Sequence, residues 1–242
     1  MQVFHQLEDV PPNFGPTVVS VGNFDGVHRA HQHVLQDIVQ RARRQKAKSV
    51  AITFEPHPVR ILRPDSGFKL LTPTPEKLHL LEATGLDAVL LLPFSRDLSL
   101  LTPREFAERI LRDRLHASEV HEGYNFHFGH KAAGNVQALA EFGLEMGFVV
   151  NVFDEMVLRG ESVSSSQIRK LLREGQVSRS KLEDLSTRGS SGVFSESDTM
   201  ALAPDNDDQD CDCKNDHGGQ SHSLAVSDHL PQFGLTVGDR AR

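Results

Sequence analysis

Two histidines three residues apart, His28 and His31, close the stretch Gly22-Asn23-Phe24-Asp25-Gly26-Val27-His28-Arg29-Ala30-His31, where an apolar run gives way to helical spacing. A helix N-terminus offers unpaired N–H groups and partial positive charge, so two imidazoles beside it suit an anion such as a polyphosphate. Gly22 and Gly26 suit a turn that takes unusual backbone angles or lets a ligand approach the main chain. The plainer roles for the same histidines are a helix cap and a surface residue. A metal pair is disfavoured, because two histidines at this spacing lack the further ligands of a zinc site and no Cys or carboxylate cluster lies at suitable spacing.

A second constellation, Val163-Ser164-Ser165-Ser166-Gln167-Ile168-Arg169, opens another helix pattern. It reads as an N-cap serine with two spare hydroxyls and an exposed arginine. It also reads as a second anion site, with N–H and hydroxyl groups on phosphate oxygens and Arg169 gripping them in a fork. Two such N-termini in one sheet suggest a triphosphate held between them.

The elements that must position these groups alternate along the chain. Thr17-Val18-Val19-Ser20-Val21 reads as a buried strand, and Val34, Leu35, Ile38, Val39 and Ala42 recur at helical spacing behind it. Residues 49–54 form a second strand, ended by Glu55-Pro56-His57-Pro58. Thr74-Pro75-Glu76 opens a helix with a cap and a first-turn proline, Gly85 stops it, and residues 87–94 are a third strand. Thr102-Pro103-Arg104-Glu105 is a capping box for a helix running to about Leu115. Residues 118–123 are a weaker strand, since His121 and Glu122 stand where a buried parallel strand favours Val or Ile. A helix over 135–146 stopped by Gly147, a strand over 148–153 and a helix over 164–174 complete the pattern. This alternation predicts an α/β fold, a parallel sheet with helices on both faces and ligands at the carboxyl ends of its strands.

Composition sets the limits. Of 242 residues 38% are hydrophobic, enough for a sizeable core, and no apolar run approaches the roughly 20 residues of a membrane helix. Cys211 and Cys213 are too few and too close for a disulfide framework, and with no leader-like N-terminus the expected location is cytoplasmic. The net charge of −7 is concentrated after residue 182, where 12 acids face 4 bases. The near-neutral remainder gives no reason to expect nucleic-acid or membrane partners. Residues 1–182 therefore read as the folded domain, and 183–242, with Pro204-Asp205 onward close to polyacidic, read as a disordered acidic tail. Within that tail Cys211, Cys213 and His217 offer a soft-metal set or, more commonly, unordered polar groups.

These motifs resemble the nucleotidyltransferase superfamily with its H-x-G-H and I-S-S-T-x-x-R elements. Within it the chain is similar to the FMN adenylyltransferase module of prokaryotic FAD synthetase. The narrower resemblance rests on Gly22-Asn23-Phe24-Asp25-Gly26-Val27-His28, Thr53-Phe54-Glu55-Pro56-His57-Pro58, Gly123-Tyr124-Asn125-Phe126-His127-Phe128-Gly129 and Val163-Ser164-Ser165-Ser166-Gln167-Ile168-Arg169. It implies a Rossmann-like fold and transfer of AMP from ATP to FMN, with Mg²⁺ bridging phosphate oxygens. It also implies that His28, His31, Ser164, Ser165 and Arg169 hold the ATP phosphates, with Ser166 and the Gly22-to-Gly26 turn beside them. Asn125 would sit near the FMN phosphate or the metal, or simply form a turn, while His57 and Asp65 are weaker candidates for flavin or metal contacts. Phe54, at the ligand edge of the sheet, is a candidate cofactor contact or, in the plainer reading, a core residue, and the two prolines after it read as turn stiffeners.

Three features depart from the family pattern. Ala30 replaces a glycine, Ser166 a threonine, and His121-Glu122 a pair of apolar residues. The family's riboflavin kinase half finds no counterpart after Leu182, so no riboflavin kinase activity is expected, and a truncated or frameshifted reading frame is one explanation. The functional alternatives are a weakened nucleotide-binding remnant and a related transferase with another acceptor.

Overall fold

The near-continuous apolar runs pair side by side as one sheet. Its strands are β1 (Gln2–Phe4), β2 (Thr17–Val21), β3 (Lys48–Glu55), β4 (Ala88–Pro93), β5 (Ala117–Gly123) and β8 (Val149–Phe153). The computed structural model describes residues 1–158 and 160–176. The strand order is β1-β4-β3-β2-β5-β8, and every pairing is parallel. Between the strands run α1 (Arg29–Gln45), α2 (Pro58–Leu62), α3 (Thr74–Ala83), α4 (Arg96–Leu100), α5 (Pro103–Phe106) and α6 (Val136–Met146), and α7 (Ser165–Arg173) follows them. Two small antiparallel ribbons, β6 (His127–Phe128) with β7 (Gly134–Asn135) and β9 (Val157–Leu158) with β10 (Glu161–Ser162), are additions that the apolar pattern did not announce. The expected boundary near residue 182, the acidic tail and Cys211, Cys213 and His217 lie outside the described residues.

Alternation along the strands divides the core in two. Val18, Ala51 and Val89 pack on Leu35, Ile38, Val39 and Ala42 of α1 and on Leu80 and Leu81 of α3. Their neighbours Val19, Val50, Ile52 and Leu90 face the opposite way, onto Phe106, Ile110, Leu111 and Leu139. Helices therefore cover both faces, as the sequence predicts. The chain steps outward from β2 through β3 to β4 and then returns to place β5 on the other side of β2. That reversal is a topological switch point, which opens a crevice at the carboxyl ends of the central strands.

Local expectations hold with three corrections. Thr74 is the first helical residue rather than the cap, a place taken by Pro73, and its hydroxyl binds Glu55. The helix begun by the Thr102 capping box widens into a π-helical turn over Ala107–Arg112 and ends short of Leu115. β5 is buried at the two doubted positions: His121 is 0% and Glu122 3% exposed. Both polar side chains have partners, which is what lets them replace apolar ones. His121 lies 2.8 Å from Glu119 Oε2 and 3.3 Å from Asp37, and Glu122 Oε1 accepts the Val21 N–H at 2.6 Å. Among the described residues no helix is long and apolar enough to cross a membrane.

Gly143 tests how tightly α6 docks on the turn into β8. A Cβ there would lie 2.5 Å from the Phe148 carbonyl oxygen. Helix propensity favours Ala over Gly by about 1 kcal/mol, whereas forcing a shift in a packed interior costs about 1–3 kcal/mol. Gly143→Ala is therefore expected to lower stability in urea denaturation, by about 1 kcal/mol net; unchanged or higher stability would show that this contact gives way freely.

Candidate active site

At the carboxyl edge of the sheet lies a cavity of about 1160 Å³, walled by the turn after β2, the segments that follow β5 and β8, the loop over residues 66–71, and the start of α7. The turn after β2 places Phe24 at φ 46°, Gly26 at φ 86° and Val27 at φ 40°. For the two non-glycine residues this region costs on the order of 1–3 kcal/mol each, so surrounding bonds must impose it. The buried Asp25 carboxylate supplies them, accepting the Leu71 N–H at 3.0 Å and the Thr72 N–H at 3.1 Å. The Gly26 N–H returns the link to Thr72 Oγ1 at 3.1 Å.

Lys77 of α3, which the sequence reading passed over, braces the same turn from below. Its buried ammonium donates to Thr53 Oγ1 at 3.1 Å and to the Asn23 and Phe54 carbonyls, each at 3.4 Å. Burial lowers its pKa, against the pull of Glu55 and Asp25. The signal in the sequence was a lone lysine among Leu78, Leu80 and Leu81.

His28 is the N-cap of α1, but its side chain caps nothing. Instead its ring stacks on that of His31, with centroids 3.6 Å apart at 18°, and Phe24 meets His31 edge-on at 5.2 Å. Burial pushes the His28 pKa down to about 4, with Asp25 opposing and Arg169 adding to the shift. Burial, reinforced by His28, pushes His31 well below the ordinary value. Two stacked imidazoles can share this space because neither is charged at neutral pH. Both Nδ1 atoms are buried without a hydrogen-bond partner among the described residues. Such atoms are costly unless something satisfies them.

Across the cavity Ser164 caps α7, its Oγ accepting the Gln167 N–H at 3.2 Å. Ser165 Oγ donates to the Asp25 carbonyl at 2.8 Å, and Ser166 is exposed on the cavity wall. Arg169 does not extend a free fork. Its Nε donates to the Lys69 carbonyl at 2.9 Å, one Nη pairs with Asp25, and the guanidinium lies over the Phe68 ring at 4.5 Å. The other Nη makes no hydrogen bond among the described residues.

The remaining candidates divide. Gly22, Asn23, Phe24, His57 and Asn125 line the cavity, as does Ala30. Gly26 and Phe54 do not: Gly26 serves the turn, and Phe54 packs edge-on against Phe94 at 5.6 Å as a core residue. Asp65 is exposed and stands outside the cavity wall. Tyr124, Phe126 and Phe153 add an aromatic wall, and Glu122, Asp154 and Glu155 add carboxyl groups. Among the described residues no three His, Cys, Asp or Glu side chains gather as a metal site.

Comparison with known proteins bears on this arrangement. A family model described as FAD synthetase matches residues 10–167. The bifunctional riboflavin kinase/FMN adenylyltransferase of Pseudomonas fluorescens is 34% identical over 178 residues, 71% of this chain and 55% of that protein. The protein of the same description from Escherichia coli K12 is 31% identical over 170 residues, 70% of this chain and 54% of that one. The chain thus spans about half the length of these curated relatives. A crystal structure described as a macrolide-efflux protein from Streptococcus pneumoniae shares the fold, with a TM-score of 0.67 at 23% identity, over 75% of this chain and 60% of that one.

The neutral histidines also set an acid limit. His57 Nδ1 accepts the Val59 N–H at 3.2 Å, and burial, with help from Arg169, Lys77 and Arg60, holds its pKa at about 4 against an ordinary 6.5. The unfolded chain therefore takes up this proton first, and stability is lost as pH falls from 6.5 toward 4. His57→Gln, which keeps an acceptor and cannot titrate, is expected to lose about 2 kcal/mol less than the parent between about pH 7 and pH 5 in urea denaturation. Identical losses would place a charged, solvated imidazole at position 57.

Proposed function

The chain belongs to the FAD synthetase family, and we propose that it is an FMN adenylyltransferase, joining AMP from ATP to the phosphate of FMN to give FAD and pyrophosphate. The observation that carries this reading is the pair of stacked, buried imidazoles with unsatisfied Nδ1 atoms at the head of α1, sharing one cavity with Ser164 and Arg169. A volume of about 1160 Å³ exceeds the roughly 300–1,000 Å³ common for one ligand, in keeping with two nucleotide substrates held together.

The reaction needs no protein nucleophile. An FMN phosphate oxygen attacks the α-phosphorus in line, a new P–O bond forms, and the bond to the oxygen bridging the α and β phosphates breaks, its electron pair leaving with pyrophosphate. The chain contributes alignment and charge stabilisation. With no side-chain cap on α1, the N–H groups of Arg29, Ala30 and His31 are free to meet phosphate oxygens. Ser164, Ser165 and Ser166 offer hydroxyls from the facing helix, and Arg169 offers its unpaired Nη while Asp25 and the Lys69 carbonyl hold the rest of the guanidinium still. The anionic phosphates favour the charged imidazole, so the His28–His31 pair takes up a proton as ATP arrives and sets positive charge beside the leaving group. Mg²⁺ would supply further neutralisation, and Asn125, a cavity-lining amide, would help to hold it. His57, Phe24 and the aromatic wall of Tyr124, Phe126 and Phe153 offer flat apolar surface to a flavin ring.

Two outcomes test this reading. FMN, ATP and Mg²⁺ should yield FAD and pyrophosphate in a coupled assay, and His28→Ala should lower kcat by roughly 10²–10³, the usual loss for one preorganised electrostatic contact; undiminished turnover would remove His28 from the chemistry. Calorimetric titration with ATP near about pH 7.5, in two buffers of different ionisation enthalpy, should show uptake of roughly one proton per ATP. Identical heats in both buffers would mean that the imidazoles stay neutral.

A further inference from the structure

Glu122 stands where β2 and β5 part. The two strands pair as far as Val19 with Val120, and the next available N–H, that of Val21, goes instead to Glu122 Oε1 at 2.6 Å. The side chain is 3% exposed and lines the same cavity as Ser20, Gly22 and His28. Val21 is its one hydrogen-bond partner among the described residues, which leaves the second carboxyl oxygen unmatched at the wall of the crevice. Burial raises the carboxyl pKa well above its ordinary value, which favours the protonated form. A protonated carboxyl keeps one acceptor oxygen and gains an O–H donor, which the unmatched oxygen can carry. Ionising it beside a triphosphate would set like charges together, so the ligand itself reinforces the protonated form.

We propose that Glu122 is a ligand-binding residue of this site, its second carboxyl oxygen carrying a proton and donating it in a hydrogen bond to a phosphoryl oxygen of the bound nucleoside triphosphate. The proposal rests on the adenylyltransferase reading for the identity of the ligand. Phosphoryl oxygen is the indicated acceptor because Glu122 is bonded to Val21, the residue directly before the Gly22-to-Gly26 turn, and lines the same cavity as that turn and His28. The ionisable groups that share the cavity with it are the acids Asp25, Asp154 and Glu155, the histidines His28, His31, His33 and His57, the bases Arg63, Lys69, Arg169 and Arg173, and Tyr124. Glu119 and His121, on its own strand, project to the other face of the sheet, toward Asp37 of α1. An acid that donates behaves oppositely to a carboxylate that acts as base or metal ligand, and the two can be separated.

The experiment is calorimetric binding of ATP and of inorganic tripolyphosphate, without FMN, to the full chain and to Glu122→Leu and Glu122→Gln, each checked for cooperative thermal unfolding. Loss of the donor in Glu122→Leu should weaken both ligands about tenfold or more. Glu122→Gln keeps an acceptor on the Val21 N–H and gains amide donors, so it should recover most of that loss. In the parent protein ATP affinity should fall more steeply at alkaline pH than in Glu122→Gln, since proton uptake by the imidazoles is common to both and only the parent also loses the carboxyl proton. Unchanged binding by Glu122→Leu, Glu122→Gln as weak as Glu122→Leu, or weakening of ATP but not tripolyphosphate would each overturn the proposal. FAD formation by the parent protein, measured alongside, keeps the two readings apart: ATP binding that follows the pattern without FAD production would fail the adenylyltransferase reading alone.

Discussion

The site depends on one buried carboxylate. Asp25 is 1% exposed and binds the N–H groups of Leu71 and Thr72, while its partner Arg169 comes from the far end of the described chain. Its own carbonyl takes the Ser165 hydroxyl. Three segments distant in sequence, the turn after β2, the loop before α3 and the head of α7, are thereby fastened to one residue. Breaking one partner of a buried pair leaves an uncompensated charge, typically worth about 3–5 kcal/mol, so the Asp25 cluster fixes the cavity's shape more firmly than any single apolar contact at its rim. It also explains how Phe24 and Val27 are held at positive φ: the bonds on either side leave the turn no other course.

Around this hub the site is organised by what it leaves unsatisfied. His28 and His31 carry Nδ1 atoms with no partner, Arg169 carries a spare Nη, and the first turn of α1 has no side-chain cap. Each deficit is a cost in the folded chain, and each is relieved by an anion in the cavity. The neutral state of the two imidazoles belongs to the same arrangement. Stacked at 3.6 Å they could not both be protonated without a compensating negative group, and Asp25 is already engaged with Arg169. Electrostatic complementarity to a polyphosphate is thus latent and is completed by proton uptake rather than carried as a standing charge.

Much of this was legible in the sequence. The strand runs, the helix starts at residues 29 and 165, and the meeting of His28 with the Ser164–Arg169 segment follow from periodicity, caps and the rule that α/β sheets bind ligands at their carboxyl edge. What stayed hidden has a common cause: it depends on side chains whose partners are far away in the chain. Lys77 is a lone lysine among leucines in the sequence, and its role shows only where Asn23, Thr53 and Phe54 converge on it. Arg169 reads as a free fork until Asp25 and the Lys69 carbonyl take two of its nitrogens. Asp65 and Phe54 stand close in sequence to site residues, yet one faces solvent and the other the core.

His121 and Glu122 carry the lesson furthest. A polar pair in a central parallel strand looks like a defect, and single-residue preference alone would weaken the strand. In the folded chain the pair points to opposite faces and meets different needs. His121 joins Glu119 and Asp37 on the α1 side. Glu122 occupies the place where the ladder between β2 and β5 stops, and it satisfies the Val21 N–H that the opening would otherwise leave bare. An opening between two central strands is what creates the crevice, and it must expose main-chain donors to do so. A side-chain acceptor at that point therefore removes the cost of the opening, and a carboxyl group there has one oxygen more than the backbone requires. The residue that looked least suited to its strand is the one that the geometry of a switch-point crevice has most use for.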